Sequence, residues 1–126
     1  MDLIQLNYRD AKPIYEQIKD GLKHLLVSNA IATDEKLPSV RELAASLAIN
    51  PNTIQRAYRE LEGEGYIYSI SGKGTFAAAQ KDVVALRREE LFLEFDTVAG
   101  ELLFLSVEPA ELAERIQEIR KGNEIL

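Results

Sequence analysis

Cysteine is absent from the 126 residues, and histidine occurs once, at His24. The lack of cysteine removes disulfides, thiolate metal sites and cysteine nucleophiles together, and it fits a cytoplasmic protein. A single histidine cannot build a typical metal site. Flanked by Lys23 and Leu25, it reads as a partly exposed helix residue. No apolar run is long enough to span a membrane, and "MDLIQLNYRD" lacks the basic-then-apolar layout of a signal peptide. Serine, histidine and the acids show no arrangement for nucleophilic catalysis, so the expectation is no enzyme, no cofactor and no metal. Gly72-Lys73-Gly74 lacks the spacing of a nucleotide-phosphate loop, and Glu108, Glu111 and Glu114 read as a solvated face.

Positive charge is also scarce. Fifteen Lys+Arg stand against 21 Asp+Glu, a net charge of −6, which argues against a generic nucleic-acid binder. The acidity is uneven. Residues 1–80 hold nine basic against ten acidic side chains, and residues 81–126 hold six against eleven. From Asn50 to Arg59 there are two arginines and no acid, so one short stretch is locally basic.

The 46% of hydrophobic residues suffice for one modest core with an appendage. Lys12-Pro13 opens a helix whose apolar face is Ile14, Ile18, Leu22, Leu25 and Leu26, with Gly21 weakening it slightly. "NAIATDEK" breaks that helix. In "LPSVRELAASL", Ser39 with Glu42 three residues on is a capping-box pattern before Leu43, Ala44 and Leu47. Ala48-Ile49 is a short turn. Asn50 then caps a third helix with Pro51 in its first position. Tyr66–Ile70 and Thr75–Ala77 are strands around the "SGKG" turn. Helical patterns follow from Lys81 to about Leu105 and from about Pro109 to Lys121. The fold class is therefore mainly α with a small β-hairpin: a winged helix-turn-helix over residues 1–80, plus a two-helix annex over 81–126.

The helix "NPNTIQRAYREL" buries Ile54, Ala57, Tyr58 and Leu61 and keeps a polar tip. A helix-turn-helix places such a first turn in the major groove, where Asn and Gln can bond adenine in two places, and Arg can bond guanine or phosphate. Asn52, Thr53, Gln55 and Arg56 suit that use. An ordinary solvated helix start explains the segment equally well by itself; the order of the surrounding elements favours contact with DNA.

"KLPSVRELAASLAINPNTIQRAYRELEGEGYIYSISGKGTF", Lys36 to Phe76, resembles the DNA-binding domain of the gluconate-repressor (GntR) family of bacterial transcription factors. The centre "NPNTIQRAYRELE" and the short helical tail resemble its YtrA subfamily. The resemblance implies DNA contacts by Arg41 of the second helix, with Ser39 capping that helix beside the backbone. It implies further contacts by Asn50, Asn52, Thr53 and Gln55 of the recognition helix, and by Gly72, Lys73 and Gly74 of the wing. The chain departs from other branches at Pro51 and Gln55, where they often carry arginine, so their base preference does not transfer.

In the annex, Leu91, Phe95, Val98, Leu102 and Leu105 recur at 3/4 spacing, continuing from Val84, and Phe92, Ala99 and Leu103 lie on another face. Such a helix needs two things to pack against. The last helix, with Leu112, Ile116 and Ile119, is expected to be one, and a second copy of the chain the other. The resembled subfamily is dimeric through this region. A monomer with the annex folded back is the other arrangement. Two helices leave little room for a ligand site of roughly 300–1,000 Å³, so any small-molecule effector is expected between protomers. The expectation is a homodimeric regulator, a repressor, on a palindromic DNA operator. The alternative is a winged-helix module for protein–protein assembly, which the acidic total charge favours and the locally basic tip opposes.

Overall fold

Pro13 stands at the N-terminal boundary of α1 (Ile14–Val27), where its missing amide hydrogen costs nothing. The structure, a computed structural model, describes residues 4–125. Ile18, Leu22, Leu25 and Leu26 form the buried face of α1, as their spacing requires. Gly21 has a reason the sequence hides. A Cβ there would lie 3.3 Å from two side-chain carbons of Ile4, so the glycine makes room for Ile4 to enter the core.

Next come α2 (Val40–Leu47), α3 (Pro51–Glu64), β1 (Ile67–Ile70) and β2 (Gly74–Ala77). Both α1 and α2 pack on α3, and α3 packs on β1. At the centre Leu43, Ile54, Leu61 and Tyr66 are fully buried. The antiparallel hairpin pairs Ile67 with Ala77 and Ile70 with Gly74. A third short run joins it. Lys36 bridges Phe76, the Leu37 amide donates to the Thr75 carbonyl at 2.8 Å, and the Ala77 amide donates to the Glu35 carbonyl at 2.9 Å. The segment expected only to break α1 thus also braces the wing.

The α2–α3 connector turns at Ala48, which is left-handed at φ 54° and ψ 50°. An L-residue pays roughly 1–2 kcal/mol there, and glycine does not. Ala48→Gly is expected to stabilise the domain by about 0.5–1 kcal/mol after glycine's extra unfolded-state entropy is subtracted. A thermal melt followed by circular dichroism checks this; an unchanged or lower midpoint would refute it.

The chain forms two compact units, one through Arg88 and one from Glu89. The first unit extends past residue 80 because α4 (Gln80–Phe104) begins inside it. Val83 is fully buried, Leu86 packs on the core, and the Gln80 amide donates to Thr33 Oγ1 at 2.9 Å. The second unit holds the rest of α4 and α5 (Pro109–Ile125), joined through Ser106 at φ 68°. Here α5 covers less of α4 than expected. Leu112 is half-buried, but Ile116 and Ile119 stay 47% and 57% exposed, as do Phe95 at 48% and Val98 at 56%. The apolar residues of α5 are spaced among Glu111, Glu114 and Glu118, so it carries too little apolar surface to close over α4.

Candidate nucleic-acid interface

Local bonds fix both helices of the helix-turn-helix. The Glu42 amide donates to Ser39 Oγ at 3.1 Å, and the Ser39 amide donates to Glu42 Oε1 at 3.1 Å, the two halves of a capping box. The backbone bond from Ser39, then its hydroxyl, holds the Glu42 carboxyl below its ordinary range. Asn50 Oδ1 accepts from the Asn52 amide at 2.8 Å, so the Asn50 side chain is committed to capping α3. Tyr58 reaches from α3 to the start of α2, its hydroxyl donating to the Pro38 carbonyl at 2.7 Å, and burial pushes its phenol up.

These bonds leave Ser39, Arg41, Asn52, Gln55 and Arg56 exposed and Thr53 half-exposed. Helical spacing puts Asn52, Gln55, Arg56 and Arg59 on one face of α3, opposite the buried Ile54, Ala57, Tyr58 and Leu61. In the sequence Arg59 marks only the basic stretch; on this face it stands beside the candidate contacts. Gln55 and Arg59 line a cleft of about 200 Å³ between α3 and the hairpin, with Ser69 and Thr75 on its other wall.

The hairpin turns through Gly72 at φ 75° and Gly74 at φ 125°, both outside the comfortable range of L-residues. A Cβ on Gly74 would also come within 2.7 Å of Lys36 Cε. The Lys36 side chain therefore runs up to the turn that carries Lys73, and the wing holds two cations where the sequence shows one. Tyr68 and Phe76 stack with ring centroids 5.7 Å apart, and the Tyr68 hydroxyl donates to Asp34 Oδ1 at 2.7 Å.

The acids of α3 are disposed of elsewhere. Lys19 of α1 pairs with Glu60 at 2.9 Å and with Glu64, and Lys23 pairs with Glu64 at 3.0 Å. Bonds from Lys19, then Arg56, hold the Glu60 carboxyl below its usual range. Glu62 accepts from the Ser69 hydroxyl. The acidity of the whole chain is segregated as well. Residues 1–88 hold twelve basic and eleven acidic side chains, net +1, and residues 89–126 hold three and ten, net −7. A chain of net charge −6 thereby presents an exposed α3 face with arginines and with Glu60 and Glu64 neutralised.

Comparison with known proteins agrees with this geometry. Residues 14–77 match the family described as bacterial regulatory proteins, gntR family. The HTH-type transcriptional repressor YtrA of Bacillus subtilis is 37% identical over 119 residues, 93% of this chain and 92% of that protein. A GntR family transcriptional regulator from Listeria monocytogenes superimposes with a TM-score of 0.75 at 32% identity, covering 88% of this chain and 98% of the other. The DNA-binding domain of AraR in complex with operator ORE1 superimposes at 0.52 with 31% identity, covering 59% and 90%.

Proposed function

Because the chain belongs to the gntR family of bacterial regulatory proteins and is a DNA-binding transcriptional regulator, we propose that it is a cytoplasmic repressor that acts as a homodimer on a two-fold symmetric operator. The observation that carries the DNA-facing half is the exposed polar face of α3, next to a capped α2 and a lysine-bearing wing, with Glu60 and Glu64 paired off toward α1. Asn52 and Gln55 read base edges, and Thr53 and Ser39 lie against the backbone. Arg41 and the Gly72–Gly74 turn reach phosphate or minor groove. The repressor assignment follows the relative from Bacillus subtilis. The alternative of an assembly module without a DNA role has no support from the relatives named above.

The dimer rests on the α4 surface. Leu91, Phe95, Val98, Leu102 and Leu105 form a stripe at 3/4 spacing, and Leu91, Phe95, Val98 and Leu105 are exposed in the single chain. A two-fold protein asks for a two-fold operator, with half-sites roughly 10 bp apart if both recognition helices lie on one face of the duplex. The junction of two annexes is also the place we assign to a small-molecule effector.

The base-reading role has a direct test. Gln55→Ala should cost about 1–3 kcal/mol on the operator and relax preference at one base position. Fluorescence anisotropy with the duplex upstream of its own gene, beside a random duplex, measures it. Equal losses on both duplexes would move Gln55 to the backbone contacts.

A further inference from the structure

Two arginines share the exposed face of α3, and the structure treats them differently. The Arg56 guanidinium carbon lies 3.7 Å from the centre of the Tyr15 ring, and its Nε donates to Glu60 Oε2 at 3.1 Å. Tyr15 belongs to α1, and Glu60 is itself held by Lys19 of α1. Arg56 thus ties α3 to α1 through a ring face and a carboxylate, which together hold its guanidinium against α1. Arg59 has no ion pair or hydrogen bond to any described residue. It lies one turn beyond Gln55, in the cleft faced by Ser69 and Thr75 of the hairpin.

We infer that Arg59, rather than Arg56, is the α3 arginine that meets the DNA backbone, with the strand running through the α3–hairpin cleft, and that Arg56 is a positioning residue that fixes α3 on α1. The inference rests on the DNA-binding reading above. Seven residues of helix rise about 10 Å, and the major groove is about 8.5 Å deep. If Asn52 touches base edges, a side chain two turns further along the axis stands level with the phosphates at the groove's rim. A long, unengaged guanidinium suits that position. Glu62 shares the cleft, and the Ser69 hydroxyl that donates to its carboxylate draws it toward the hairpin. Its charge still opposes a phosphate there.

The experiment uses the full-length protein and two fluorescent duplexes, the sequence upstream of its own gene and a shuffled version, titrated across a salt series. Arg59→Ala should weaken both by a similar factor, on the order of tenfold per protomer near 0.1 M salt, and make the salt slope shallower by about 0.9 per protomer. Arg59→Lys should keep the slope, because the charge remains. Glu62→Gln, which still offers Ser69 an acceptor, should tighten both duplexes. Arg56→Ala should leave the slope unchanged and lower the melting temperature. An unchanged slope in Arg59→Ala, a slope lost in Arg56→Ala, or weaker binding by Glu62→Gln would each overturn the inference while leaving the DNA-binding reading in place. A wild-type protein that binds neither duplex would sink both.

Discussion

Phe95→Asp is expected to turn the protein into monomers at micromolar concentration and to weaken operator binding by about 10²–10⁴, while the winged helix stays folded. Phe95 sits mid-stripe on α4, between Leu91 and Val98, and all three are exposed in the single chain. Phe92, Leu103 and Phe104 of the same helix are exposed as well, and large exposed apolar patches mark interaction surfaces. An aspartate there would have to be buried without a counter-charge, which costs several kcal/mol, and each 1.4 kcal/mol is tenfold in association. The DNA effect follows from geometry. Two linked half-site contacts make the second one intramolecular, and separated protomers lose that advantage. The first unit should be unaffected, since its core of Ile18, Leu22, Leu43, Ile54 and Leu61 lies before the unit boundary at Arg88. Light scattering of the variant, beside circular dichroism, reads both halves. A variant that remains dimeric would place the interface elsewhere, and a wild-type monomer with full affinity for a palindrome would end the dimer argument.

Local signals in the sequence carry much of the fold. Ser39 with Glu42, Asn50 with Pro51, and Gly72 with Gly74 are contacts between near neighbours, so their spacing in the chain is their spacing in space. What stayed hidden depends on residues far apart. The pairing of Lys36 with Phe76 leaves no periodic trace, because a single bridge is too short to alternate. Gly21 looks like a weak point in α1 until Ile4 is seen to fill the space beside it. The site shows the same division. Asn52 and Gln55 are legible as the polar tip of a capped helix. Arg56 and Arg59, however, lie three residues apart on one face. Spacing offers Arg56 an acid four residues on, Glu60, where Arg59 has Gly63, but the Tyr15 ring that completes the engagement comes from a different helix. The apolar stripe of α4 is legible as a surface in want of a partner, but a single chain does not contain what covers it.

Glu64→Ala is expected to destabilise the first unit by about 2–3 kcal/mol, a fall in melting temperature of roughly 10–20 °C for a unit of this size. Lys23 is only 6% exposed, pairs with Glu64 at 3.0 Å and lies over the Tyr66 ring at 4.9 Å. Removing the carboxylate takes from a buried ammonium the acid it pairs with, and breaking one side of a buried pair costs several kcal/mol; the partial exposure of Glu64 keeps the value below the fully buried limit. Lys23→Met should cost much less, because it removes the charge that needs the partner. The same network sets the pH response. For Lys19, burial works against the charge, but the bonds to Glu64 and Glu60 outweigh it and raise its ammonium above the ordinary range. That contribution is full below the unfolded lysine value and is lost as pH rises through the higher folded one. Glu60 is lowered, so its contribution is full above the unfolded carboxylate value and is lost as pH falls through the folded one. Between these limits the α1–α3 tie is indifferent to pH. Thermal melts across pH should show a plateau through neutrality for the wild type, and for Glu64→Ala a lower plateau whose alkaline edge comes earlier, since Lys19 has lost one of its two acceptors. If Glu64→Ala melted with the wild type at neutral pH, the clamp that turns the acids of α3 away from its exposed face would not be holding the helix in place.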